Sequence, residues 1–275
     1  MIQERLAKLR ELMNDRGIDA YLVPTADFHE SEYVGDYFKC RSFLSGFTGS
    51  AGTLAVTMKE AALWVDGRYF VQAGEQLKGS GITMMKMGEE GVPELEDYLV
   101  EHVPEGGCLG FDGRVVNSFT GKRLEKRLAK KKASIHFEED LVDLIWTDRP
   151  ALSCKPVWIL DEKYAGKGAA EKLASLQKAM EKEGATVHLL TTLDDIVWLF
   201  NIRGDDIPCN PVVLSYAAVT LDDVYLFIAM ESVNQEVKDY LHGLGVKIRP
   251  YKDIYPYVKC LRDEHVLLEK ERVNY

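Results

Sequence analysis

The run FLSGFTGSAGTLAVTMKEAALWVDGRYFVQAGEQL, residues 43–77, sets the reading of the whole chain. It opens on a glycine-rich loop at Gly46, Gly49 and Gly52. Two short apolar runs follow, 53–58 and 61–65, parted only by Lys59 and Glu60. Period-two patterning on both sides of a polar pair is what a half-buried antiparallel hairpin requires. Asp66-Gly67-Arg68-Tyr69 comes next, and a helical stripe through Phe70, Ala73 and Leu77 ends the run. Asp66 fits a helix N-cap, because its carboxylate can accept from an otherwise orphan amide of the first turn. Arg68 is not explained by helix stability, since a cation in the first turn lies at the positive end of the helix dipole and costs a few tenths to about 1 kcal/mol. Its planar fork either points at an anionic or carbonyl group of a ligand or pairs with Asp66 or another local carboxylate, the commoner role for a surface arginine.

Outward from that run, strands alternate with helices, the mark of an α/β layer architecture. An amphipathic helix with Ile2, Leu6, Leu9 and Met13 on one face stops near Gly17, and 20–24 is a short strand of buried type. A loop over 25–41 leads to the hairpin. Strands are expected at 83–87, 108–112 and 134–137, and helices at 93–103, 118–132 and 141–146. The segment 147–156, with two prolines and no periodicity, reads as a linker. Beyond it come a helix at 163–183, a strand at 186–190, a helix at 193–202, a strand pair at 212–219 and 224–229, a helix at 232–244 and a strand at 246–251. The order helix, strand, connection, hairpin, helix, strand thus occurs twice, so the sequence reads as two similarly folded α/β domains.

The 275 residues, 46% of them hydrophobic, suffice for two buried cores. A net charge of -10 and a pI near 5.2 argue against a nucleic-acid or anionic-membrane surface, which needs an excess of Lys and Arg. No stretch approaches the roughly 18 to 20 apolar residues that span a bilayer, and charges interrupt the N-terminus where a signal peptide would be apolar. Five scattered cysteines without a CxxC pair read as reduced thiols, which fits a cytoplasmic protein.

Other constellations carry bland readings. The six histidines have no ligand spacing and no HExxH motif. The paired acids Asp194-Asp195 and Asp205-Asp206 suit capping and solvation. No Gly-Lys-Ser/Thr follows the glycine loop, so it is not a Walker motif. The basic run 122–132 reads as a helix with a buried Leu124–Leu128 stripe and a solvated face, and Trp198-Leu199-Phe200 as core. His29, Glu30 and Tyr33 lie in a loop that could reach a ligand.

Several uncommon words occur in order. SEYVGDYFKCRSFLSGFTGSAG (31–52) followed by ALWVDGRYFVQA (62–73) resembles the N-terminal creatinase-type domain of the long, three-domain Xaa-Pro aminopeptidases, the aminopeptidase P family. LVDLIWTDRP (141–150) and LDDIVWLFNIRGDDIPCNPVVLSYA (193–217) resemble the end of that family's first domain and the middle of its second. The resemblance covers essentially the whole chain. It implies two similar creatinase N-terminal-like (ribonuclease H-like) α/β domains with mixed sheets, taken as 1–150 and 151–275. It further implies a metal-dependent hydrolase that removes a residue preceding proline from peptides with proline at the second position.

The family holds its metal ligands, two Asp, one His and two Glu, in a third, pita-bread domain whose motifs have no match here. No catalytic residue, metal ligand or cofactor is therefore expected within this chain; the divalent metal, manganese, belongs to the full-length enzyme, whose ligands would lie beyond Tyr275. What carries over is Arg68, matching the DGRYF arginine, as a binder of the peptide substrate, with the two domains walling the cleft. A homodimer of the full-length protein is a further expectation, with no nucleic-acid or membrane partner. The alternative is a stand-alone creatinase-like module without hydrolysis that binds peptides or histones, its acidic surface suiting a basic partner.

Overall fold

Strands that are apolar at nearly every position need cover on both faces, and the computed structural model, which describes residues 1–275, supplies it with helices. Two units can be told apart. One comprises Met1–Phe28, Asp36–Ala151 and Asn274–Tyr275; the other comprises His29–Gly35 and Leu152–Val273.

The first unit runs α1 (Ile2–Asp15), β1 (Ala20–Pro24), α2 (Cys40–Ser45), β2 (Thr53–Thr57), β3 (Ala61–Val65), α3 (Phe70–Gln76), β4 (Thr83–Lys86), α4 (Leu95–His102), β5 (Cys108–Gly110), α5 (Ser118–Ala129) and β6 (Ser134–His136). Its sheet has the order β4-β3-β2-β1-β5-β6. Strand β2 is antiparallel to β1 and β3, whereas the β1–β5, β3–β4 and β5–β6 pairs are parallel. Alternate residues serve opposite faces. Tyr21, Val23, Leu54, Val56, Leu63 and Val65 pack with Leu6, Leu9 and Met13 of α1 and Leu44 of α2. Leu22, Ala55, Ala62 and Trp64 pack with Leu99 of α4 and Leu124 and Leu128 of α5. The hairpin is thus buried on both faces rather than half-buried, because a helical layer covers each side.

The second unit runs β7 (Trp158–Ile159), α6 (Glu162–Ala165), α7 (Ala169–Glu183), β8 (Val187–Leu190), α8 (Leu193–Leu199), β9 (Ile202–Arg203), β10 (Ser215–Thr220), β11 (Val224–Ile228), α9 (Gln235–Gly243), β12 (Val246–Pro250), α10 (Ile254–Cys260) and β13 (Val266–Leu267). The main sheet has the order β12-β11-β10-β8-β13, and β7 pairs with β9 in a separate ribbon. Its β10–β11 and β10–β8 pairs are antiparallel, and β11–β12 and β13–β8 are parallel. Substituting β8 for β1, β10 for β2, β11 for β3, β12 for β4 and β13 for β5 reproduces four of the five pairs of the first sheet; only β5–β6 has no counterpart. The duplicated order read from the sequence is therefore a duplicated topology, two mixed-sheet α/β folds in succession.

Three helix expectations are corrected. Residues 141–146 form hydrogen-bonded turns closed by Ile145 N and Trp146 N on Val142 O, not a helix. The helix at 163–183 is two helices, because Gly166, at φ 73°, ends α6 in the left-handed region that a glycine enters without steric cost. The helix at 193–202 ends at Leu199, and Ile202–Arg203 turns into β9, whose partner Trp158–Ile159 lies just beyond the linker.

Candidate functional site

Because β1, β3, β4, β5 and β6 run the same way and β2 runs against them, the ends of five strands and the entry to β2 meet on one edge of the first unit's sheet. Ligands of open α/β sheets bind outside this carboxyl edge, where the chain leaves a central strand in opposite directions. Here the edge gathers Thr25, the glycine loop 46–52 and two Asp-Gly-Arg corners, 66–68 and 112–114.

The first corner is an Asx-type cap. Asp66 accepts from the Arg68 amide at 3.0 Å, as its N-cap reading requires, and opens the short 3-10 turn Gly67–Tyr69 that leads into α3. The same carboxylate takes Arg68 Nε and Nη2, each at 2.9 Å. The Arg68 hydrogen bond holds the Asp66 carboxyl below its ordinary value. The pairing reading of Arg68 is therefore what the geometry shows, and it orients the fork rather than hiding it: the side chain stays 69% exposed. Its guanidinium carbon lies 5.2 Å from the Tyr69 ring centroid.

The glycine loop is fastened against this corner from two sides. From within, Arg41, only 4% exposed, donates Nη1 to Phe47 O at 2.9 Å, Nη2 to Gly49 O at 2.5 Å and Nε to Thr25 Oγ1 at 2.9 Å. Its burial among carbonyls brings its pKa down to about 10. From without, the Thr48 amide donates to Gln76 Oε1, and Gln72 and Gln76 of α3 both donate to Thr48 Oγ1. Ser50 Oγ meets Tyr69 Oη at 2.6 Å. Gly49 is obligatory here, because a Cβ would stand 2.2 Å from Phe47 Cζ and 2.7 Å from Tyr69 Cδ1.

The second corner has the same bonds and a different setting. Asp112 accepts from the Arg114 amide at 3.0 Å, from Nε at 2.9 Å and from Nη2 at 3.0 Å. Burial pushes the Asp112 carboxyl up, against the pull of Arg114. Beside it Arg149 donates Nη1 to Asp140 at 2.7 Å and to Asp143 at 2.9 Å, and Nη2 to Cys40 Sγ at 3.1 Å. This cluster fills the crevice between the ends of β1 and β5, leaving a cavity of about 20 Å³, room for about one water. The equivalent crevice of the second unit, at the ends of β8 and β13, is a hollow of about 500 Å³ lined by Glu30, Asp194, Asp195, Glu269 and Arg272 among others.

The loop residues singled out in the sequence separate. His29 is 1% exposed, with Nδ1 2.8 Å from Thr191 O and Nε2 2.7 Å from the Tyr251 hydroxyl. It is an interior imidazole of the second unit. Tyr33 is 48% exposed. Trp198, read as core, is 54% exposed and covers the buried Lys172, whose Nζ lies 4.2 Å from its ring centroid. Helix α5 buries Leu124 and Leu128 and keeps Lys122, Lys126 and Lys130 exposed, while two cations of its basic run, Arg123 and Arg127, bond Glu96 and Asp97 of α4. The second corner and Arg41 were missed; only the repeated letters Asp-Gly-Arg signalled the former.

The side chains do not fit a dinuclear metal centre, since no group of three or more His, Cys, Asp or Glu could hold an ion and the edge carboxylates Asp66, Asp112 and Asp140 are each committed to an arginine. No helix is long and apolar enough to cross a membrane.

The description "Creatinase/Prolidase N-terminal domain" matches residues 5–144 and, as a second domain, 148–275. A probable Xaa-Pro aminopeptidase P of Neurospora crassa is 42% identical over 94% of the chain, which spans 38% of that protein. Aminopeptidase P2 of Arabidopsis thaliana is 37% identical over the whole chain, which spans 39% of it. Among solved structures, an X-prolyl aminopeptidase from Caenorhabditis elegans, described as a cytosolic enzyme with a di-nuclear active site, superposes with a TM-score of 0.90 at 37% identity, over 94% of this chain and 44% of that one. The chain thus corresponds to the N-terminal part of these relatives and to about two fifths of their length.

Proposed function

Because the chain belongs to the creatinase/prolidase N-terminal domain family, we propose that it works as the non-catalytic N-terminal half of a metal-dependent Xaa-Pro aminopeptidase, acting on peptides with proline at the second position. The observation that carries this reading is the correspondence with such enzymes over 94% of the chain. The divalent metal, manganese in this reading, would be held by polypeptide outside these residues and would supply water activation and carbonyl polarisation there. The two units shape the cleft of the full-length enzyme, a cytoplasmic protein that assembles as a homodimer.

Within this chain the contribution to substrate is Arg68. Its fork is aimed by Asp66, stands out from a rigid strand-to-helix corner, and suits a peptide carbonyl or carboxylate, which a planar guanidinium binds in two parallel hydrogen bonds. It selects and orients the peptide without touching the proton transfers. A charge-assisted hydrogen bond of this kind contributes about 1.5 to 3 kcal/mol, so Arg68→Ala in the full-length enzyme is expected to lower kcat/KM roughly tenfold to a hundredfold. An unchanged kcat/KM removes the assignment. Reading the frame downstream of Tyr275 for the Asp, Asp, His, Glu and Glu ligands separates this function from a stand-alone peptide- or histone-binding module.

A further inference from the structure

Arg41 is the buried cation that no carboxylate of the first unit neutralises: its fork goes to two loop carbonyls and a threonine hydroxyl. Burying a charge in this way is costly unless every donor is satisfied, and the arrangement would be poor economy if a neutral side chain could hold the loop as well. The fork does what a neutral residue cannot, donating from one rigid plane to three acceptors, Phe47 O, Gly49 O and Thr25 Oγ1. Those two carbonyls flank Thr48, whose amide and hydroxyl are tied to α3, and they lead directly to Ser50, whose hydroxyl meets that of Tyr69. Tyr69 is the residue after Arg68, and its ring lies edge-on to Phe47, at 5.7 Å and 82°.

We propose that Arg41 is a positioning residue for the peptide-contact corner, acting through the loop carbonyls and the Ser50–Tyr69 hydroxyl pair to fix where Arg68 presents its fork. This rests on the role given to Arg68 above. It goes further in naming a chain of contacts, from Arg41 to the 47–50 segment, to Tyr69 and to Arg68, along which the corner is preorganised before peptide arrives. Preorganisation of this kind is felt in binding, since a looser corner costs ordering entropy each time a peptide is taken up.

The test uses the full-length enzyme with Arg41→Lys, which keeps the charge and loses the fork, and Tyr69→Phe, which deletes one exposed hydroxyl and leaves the core untouched. Each is made alone and with Arg68→Ala. Each single variant is expected to raise KM for an Xaa-Pro peptide about three- to tenfold, the range of one or two lost hydrogen bonds, with kcat little changed. In the Arg68→Ala background neither should lower kcat/KM further, because residues acting through one another are non-additive. Faster hydrogen exchange at the amides of 47–52 in Arg41→Lys should accompany the rise in KM. Full additivity with Arg68→Ala, a lowered Tm with unchanged KM, or unaltered exchange in the loop each overturns the proposal while leaving the function assigned to Arg68 intact. If Arg68→Ala is itself without effect, that function falls first and the positioning role falls with it.

Discussion

Arg149 holds the crevice between β1 and β5 shut. Its side chain and that of Asp140 are each only 6% exposed; its Nε donates to Tyr37 O at 2.9 Å, and its guanidinium lies 3.8 Å from the Tyr37 ring centroid. Removing one member of a buried, hydrogen-bonded pair strands the other charge, at a cost of about 3 to 5 kcal/mol. Arg149→Met is therefore expected to lower the unfolding free energy of the chain by roughly 3 kcal/mol in urea titrations; a loss under about 1 kcal/mol would mean that desolvation cancels the pair. Cys40 reports on the same place, since burial and the nearby Asp140 push its thiol up to about 12. Only the thiolate is a nucleophile, so at pH 8 Cys40 should resist iodoacetamide while the exposed Cys209 and Cys260 are alkylated, and its modification should set in only as pH climbs towards 12. Mass spectrometry of the digest reads this directly. Neither Arg149 nor Arg41 was legible as a buried group, because a cation is read from sequence as surface unless its partners are known, and those partners are backbone carbonyls and side chains to which no regular helix or strand spacing points. Asp66 was legible, since a cap bonds to an amide two residues on.

Elements follow the same division. The hairpin, the α1 stripe and the α5 stripe were readable because each signal is local and periodic. The turn at 141–146 was not, since Leu141 and Val142 are apolar for the sake of the core below them and not for a helix of their own. Asp140 caps the Val142 amide, yet the chain then leaves to place Arg149. Helix α7 ends as its sequence suggests, at Gly184 with φ 69° and the Ala185 amide donating to Met180 O at 2.9 Å. A Cβ there meets nothing within 4 Å, so the left-handed backbone is the sole penalty for any other residue. Gly184→Ala should cost about 1 to 2 kcal/mol, and Gly184→Asn distinctly less because asparagine enters that region more readily. Equal losses for the two, measured by thermal unfolding, would show that space rather than dihedral angle governs the position.

At the scale of the whole molecule, two units repeat one strand order although their sequences share few words, and they put the repeat to different ends. The first fills its β1–β5 crevice with arginine–carboxylate pairs, whereas the second leaves the β8–β13 crevice open. The repeat was legible because topology follows from element order; the place of His29–Gly35 in the second unit was not, since a polar loop carries no periodic signal of what it packs against. The ion pairs also decide what the chain can do alone. A divalent pair needs several carboxylates free to converge on it, but Asp66 is bonded to Arg68, Asp112 to Arg114, and Asp140 and Asp143 to Arg149. Recruiting any of them would break a bidentate or buried pair, and no group of three or more His, Cys, Asp or Glu stands ready to hold an ion. Calorimetric titration of the 275-residue chain with Mn²⁺ should therefore show no saturable stoichiometric uptake, and the chain should leave an Xaa-Pro peptide intact in its presence. Uptake of one or two equivalents, or metal-dependent release of the N-terminal residue, would place the reactive centre inside these two units and end the division of labour proposed for them.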